Sequence, residues 1–95
     1  MADFSSLYNH HEREVFTAVM ASADKYPDIA RDADLLCDVA CVALNRLPPR
    51  YIRHEVDFSF YMTTGERLEI DTAINEAVTF AYQFVEARVA LRRTA

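Results

Sequence analysis

Apolar residues recur at helical spacing in three stretches of this chain and at alternate positions in one. In the first stretch Val15, Phe16, Val19 and Met20 share a stripe, while Arg13, Glu14 and Thr17 fall mostly outside it, the pattern of an amphipathic helix. Asn9 and Glu12 stand at capping-box separation, so this helix is expected to start at Asn9, with its side chain accepting from the Glu12 amide, and to run to about Ala23. Tyr26-Pro27-Asp28 breaks the pattern. A second helix is expected to begin somewhere between Asp28 and Asp34, where acids suit a helix N-terminus. Leu35, Leu36, Val39, Ala40, Val42, Ala43, Leu44 and Leu47 leave little of its circumference polar, which predicts a central element buried on most sides. Pro48 disfavours helical backbone at Leu47, and Pro49 keeps the chain extended beyond it.

From Val56 the period changes to two: Val56, Phe58, Phe60 and Met62 alternate with Asp57, Ser59, Tyr61 and Thr63. The alternation predicts a short strand over 56–62, paired with its own copy across a dimer axis because the chain offers it no partner; an extended connector is the alternative. Thr63-Thr64-Gly65-Glu66 repeats the capping-box spacing and opens a last helix expected to reach about Arg92. Its seam of Ile70, Ile74, Ala77, Val78, Ala81, Phe84 or Val85, and Val89 is longer than two shorter helices readily cover, so the excess reads as a subunit interface. The expected fold is all-α, with three principal helices and a short β segment at 56–62, in a homodimer whose subunit is a single domain over residues 1–95.

Composition sharpens this picture. A 95-residue chain that is 52% apolar, with one glycine and three prolines, has the makeup of a compact helical domain. At this size folding buries only about two thirds of the unfolded surface, so a shared core would help. The net charge of −5 argues against wrapping duplex DNA or RNA. No apolar run approaches the roughly 20 residues that span a bilayer, and Met1-Ala-Asp-Phe-Ser-Ser6 lacks the basic start of a signal peptide; a cytoplasmic protein without membrane insertion is expected. Cys37 and Cys41, four apart in a helix, are expected to be free, small and buried.

Charge is unevenly spread. Residues 1–38 hold eight acids and three bases, residues 55–95 seven acids and four bases, and residues 39–54 three bases with no acid. Those three, Arg46, Arg50 and Arg53, bracket the Pro48-Pro49 break, with Tyr51 between them. Arginine's planar fork holds a phosphate bidentately or reads a guanine edge, and a tyrosine ring offers a face for a purine. Ion pairing with Asp38, Glu55 or Asp57 is the plainer role for the same arginines.

The run Asp38-Val-Ala-Cys-Val-Ala-Leu-Asn-Arg-Leu-Pro-Pro-Arg-Tyr51 resembles the signature of the late competence development (ComFB) family, and Asn9-His-His-Glu12-Arg-Glu-Val15 is similar to that family's N-terminal Asn-x-x-Glu-x-x-Val element. Asp38, Ala43, Leu44, Asn45, Leu47, Pro48, Pro49, Arg50 and Tyr51 fit position by position. The resemblance implies a small regulatory protein of the kind that receives a cyclic dinucleotide, cyclic di-GMP foremost, and signals to a protein partner. Arg46, Arg50, Tyr51 and Arg53 are then the ligand-binding candidates. A ligand-free dimeric scaffold in competence or pilus-related assembly is the alternative, with the same motif serving as a fold staple.

Other chemistry finds little support. Some members of that family carry a cysteine cluster for zinc, but Arg31-Asp-Ala-Asp-Leu-Leu36 has no cysteine, and no metal or cofactor is expected. With Gly65 as the sole glycine there is no phosphate-cradling loop, and no nucleophile turn is recognisable, so no catalytic residue and no enzyme activity is expected.

Overall fold

The computed structural model describes residues 2–54, 56, 59, 60 and 62–94. Among these residues α-helices dominate, including α1 (His11–Ser22), α2 (Pro27–Ala30), α3 (Ala33–Arg46) and α4 (Thr64–Thr94). Short 3-10 turns lie at Phe4–Ser6 and Ala23–Lys25. A two-residue antiparallel ladder joins β1 (Tyr8–Asn9) to β2 (Tyr51–Ile52), with Tyr8 opposite Ile52 and Asn9 opposite Tyr51.

Local chemistry accounts for the helix ends. Asp32 caps α3, its Oδ1 accepting from the amides of Asp34 at 3.0 Å and Leu35 at 3.3 Å, which fixes the start that periodicity left open. Pro27 occupies the first turn of α2, where a missing N–H costs nothing. At the other end of α3, Leu47 is already extended, as the residue before a proline must be. The capping box of α4 forms in both directions: Glu66 N–H donates to Thr63 Oγ1 at 3.1 Å, and Thr63 N–H donates to Glu66 Oε2 at 3.4 Å.

The core lies where α1 and α2 cover α3 and α4. Val15, Val39, Ala43 and Ala81 are wholly buried, and alanines at 40, 43, 77 and 81 let α3 and α4 approach closely. These two helices run antiparallel: Leu35 shares a groove with Val89 and Arg92, and Arg46 lies against Phe80. The least expected core residue is Tyr82. Its ring is fully buried and stacks on Tyr26 at 4.2 Å, 6° from parallel. Its hydroxyl donates to the Val19 carbonyl at 2.5 Å. That carbonyl is available because the Ala23 amide, which would close the next α-helical turn, bonds instead to Met20 as the 3-10 turn begins.

Three sequence expectations change. The strand over 56–62 is not formed where the chain is described: Val56, Ser59 and Phe60 are helical, while Asp57, Phe58 and Tyr61 lie outside the described residues. A lone strand would leave its backbone groups unpaired, whereas a helix satisfies its own. Alternation also recorded no buried face, since Val56 is 76% and Phe60 80% exposed. The real ladder joins two segments that carried no strand signal. Second, the α4 seam is not left over for a partner. Ile74, Ala77, Val78, Ala81 and Val85 are buried within the subunit, and Ile70 and Val89 pack against the same core. Of the Phe84 or Val85 alternative it is Val85 that is buried, and the apolar residues α4 leaves in solvent include Leu68, Phe80 and Phe84. Third, Cys37 and Cys41 are free but exposed: α3 buries Val39, Ala40 and Ala43, and the cysteines fall on its open side.

Candidate functional site

The chain turns at Pro48-Pro49 and returns antiparallel to its own N-terminal segment, and Asn9 holds the two together. Its Oδ1 accepts from the His11 amide at 3.2 Å and from the Arg50 amide at 3.1 Å. The His10 amide in turn donates to the Arg50 carbonyl at 2.8 Å. Asn9 thus accepts one residue short of the amide the capping-box spacing suggested, just ahead of α1, whose N-cap position is His10 with no side-chain cap bond. The same oxygen ties the start of α1 to a residue 41 positions away. Sequence reasoning set Asn9 at the start of α1 but assigned it the Glu12 amide and missed the tie, because spacing within one helix says nothing about a distant strand.

These bonds fix the backbone at Arg50 and Tyr51 while leaving their side chains outward. Tyr51 is 68% exposed, and Arg50 and Arg53 are exposed. Arg50 lines an open cavity of about 310 Å³ whose walls are Leu47, Pro48, Pro49, Ile70 and Ala73, with Glu69 and His11 as its other polar members.

Arg46 belongs elsewhere. It leaves the last turn of α3 and its guanidinium lies 3.7 Å over the centroid of Phe80, a cation–π contact. Phe80 is seven residues past Ala73, hence about two turns, or roughly 10 Å of helix rise, from the wall of the Arg50 cavity. The structure thus brings Arg50 and Tyr51 together on one corner with Arg53 following, and directs Arg46 to the α3–α4 face.

His11, at the start of α1, is buried. Its side chain sits beneath the corner with residue exposure of 6%, and Nδ1 has no hydrogen-bond partner. Burial pushes the imidazole pKa below its ordinary 6.5, and the positive charges of His10 and Arg50 push the same way; the Pro48 carbonyl opposes them. No signal in the sequence distinguishes His11 from His10, because the difference arises from the corner packing above one of them.

Asn45, a residue of the motif, is exposed and turned inward along its own helix, with Nδ2 donating to the Cys41 carbonyl at 3.0 Å. Among the described residues no three or more His, Cys, Asp or Glu side chains gather as a metal would require. Among them also, no helix is long and apolar enough to cross a membrane.

No curated protein matches the chain. The family described as late competence development protein ComFB matches residues 8–89, a span that runs from the β1 strand through the ladder and corner to the last core turns of α4. With both the clamp and the corner inside a match of that length, the chain belongs to the ComFB family.

Proposed function

We infer that this competence-related protein is a signalling module that binds a cyclic dinucleotide at the corner beyond Pro48-Pro49, with cyclic di-GMP the favoured ligand, and passes occupancy to a protein partner. The observation that carries the reading is the Asn9 clamp. It orders the backbone of Arg50 and Tyr51 in advance, with both residues exposed and Arg50 lining an open, largely apolar cavity. Preordering lowers the entropic cost of holding a ligand. Arg50 and Arg53 supply charge for the two phosphates, Tyr51 a face for a purine, and the proline-lined wall an apolar surface for the rest.

A homodimer suits a two-fold symmetric ligand, since it offers the same corner twice. Two apolar side chains that α4 and the preceding segment leave in solvent, Leu68 and Val56, are the surface proposed for it. Light scattering at micromolar concentration should return twice the subunit mass of 10.9 kDa.

A scaffold without ligand is the second reading. It is favoured by the same clamp, because the motif's backbone at Arg50 is consumed in holding the fold together. Calorimetry with a panel of cyclic dinucleotides separates the two. The signalling reading expects saturable heat from cyclic di-GMP that disappears in Arg50→Ala and Arg53→Ala proteins with unchanged circular dichroism. Flat titrations for every nucleotide leave the scaffold.

A further inference from the structure

The geometry points to the α3–α4 face as the docking surface for an acidic amphipathic helix of a partner protein. This gives a place and a chemistry to the protein partner proposed above, and it holds whether or not the corner takes a nucleotide. Between the two antiparallel helices runs a groove of about 230 Å³ with half-buried Leu35, Val42 and Val89 in its floor and exposed Arg88 and Arg92 along one side. The face continues past Phe84, 40% exposed and stacked on Phe80 at 6.0 Å, to the guanidinium of Arg46. From Leu35 to Arg46 the α3 side of the face spans twelve residues, roughly 16 Å or three turns. That length matches a three-turn helix laying its apolar stripe into a groove.

Charge selects the occupant. Among the described residues, Arg88 and Arg92 line the groove with one carboxylate, Asp38, and Arg46 extends the face on Phe80, beside which Glu76 lies; three arginines against two carboxylates leave the patch locally basic on a chain of net charge −5. A second copy packed about a two-fold axis would lay this patch on itself, arginine toward arginine. A helix with leucines on one stripe and glutamates on its flanks meets both the floor and the border.

The test uses the full chain and a displayed library of helical peptides of about twelve residues, with leucine fixed on one stripe and the flanks randomised among Glu, Lys and Ser. The expected winners carry Glu on both flanks. They lose about tenfold or more in affinity against an Arg88→Glu, Arg92→Glu protein. In wild type they shift the amide resonances of Val42, Val85 and Val89. A Phe84→Ala protein, with both arginines intact, should weaken the same peptides while keeping their preference for Glu. Winners with neutral or basic flanks, binding indifferent to the charge reversal, or shifts confined to other residues would overturn the proposal. So would groove amides that move on simple dilution, which would seat a second copy there, or on adding cyclic di-GMP, which would seat the nucleotide. Flat calorimetry with cyclic di-GMP, by contrast, removes the nucleotide reading and leaves this one standing.

Discussion

Arginines at 46 and 50 are one helical turn apart in sequence, yet they serve two regions built on different physics. The corner at Arg50 is made by backbone hydrogen bonds: one side-chain oxygen of Asn9 accepts from two amides, and a third amide returns to the Arg50 carbonyl. The α3–α4 face is made by side-chain packing, with a guanidinium on Phe80 and two stacked rings in line. The difference decides how each side chain is held. At the corner the chain path is fixed and Tyr51 is left largely in solvent, whereas on the face Arg46 is engaged with its own subunit. A break in the chain, Pro48-Pro49, is all that separates them. Nearness in sequence therefore does not make a site.

The comparison is broken most completely by removing what both regions stand on. Tyr82→Ala deletes a fully buried ring stacked on Tyr26 and its bond to Val19, and should cost about 3–5 kcal/mol. Against a total stability of about 5–15 kcal/mol, that removes between about a fifth and all of the folding free energy, and the urea midpoint should fall in proportion. Asn9→Ala cuts the corner alone. It leaves the His11 and Arg50 amides without their acceptor, at an expected cost of about 1–2 kcal/mol in the same assay. The Tyr82–Val19 bond is untouched, and amide exchange should speed up at Arg50 and His11 but not at Val39 or Val78.

Acid should loosen the corner next. His11 has a folded-state pKa below its unfolded 6.5, because burial foremost and then the charges of His10 and Arg50 disfavour its protonated form. Between those two values the unfolded chain binds more protons than the folded one, so stability falls as pH drops through 6.5 and is complete above it. Denaturation midpoints at pH 5 and pH 7.5 should differ accordingly, and His11→Gln should remove that part of the difference. The smallest effect belongs to the face: Arg46→Ala forfeits one exposed cation–π contact, about 0.5–1 kcal/mol, and should leave amide exchange at Arg50 unchanged.

Much of the helical frame was legible because helices advertise themselves locally. Both proline breaks, the Thr63–Glu66 capping box and the α4 seam are short-range signals, and each is realised within a few residues of where it was read. What stayed hidden depends on residues far apart. The ladder of Tyr8–Asn9 with Tyr51–Ile52 has two residues a side, too short for any periodicity. The burial of His11 and of the Tyr82 hydroxyl exists because the corner and α1 close over them. Alternation over 56–62 misled for the converse reason: a period of two implies a strand where one face is buried, and Val56 and Phe60 have none. The charge contrast over 39–54 was a true feature of the sequence, but helix geometry divides its three arginines between the corner and the α3–α4 face.

The central claim is that the corner, and not the whole arginine run, receives the ligand. Calorimetric titration of cyclic di-GMP into wild-type, Arg46→Ala and Arg50→Ala proteins tests it most directly. The account predicts wild-type affinity for Arg46→Ala and loss of binding for a folded Arg50→Ala. Equal loss in both, or heat that Arg50→Ala leaves untouched, would contradict it.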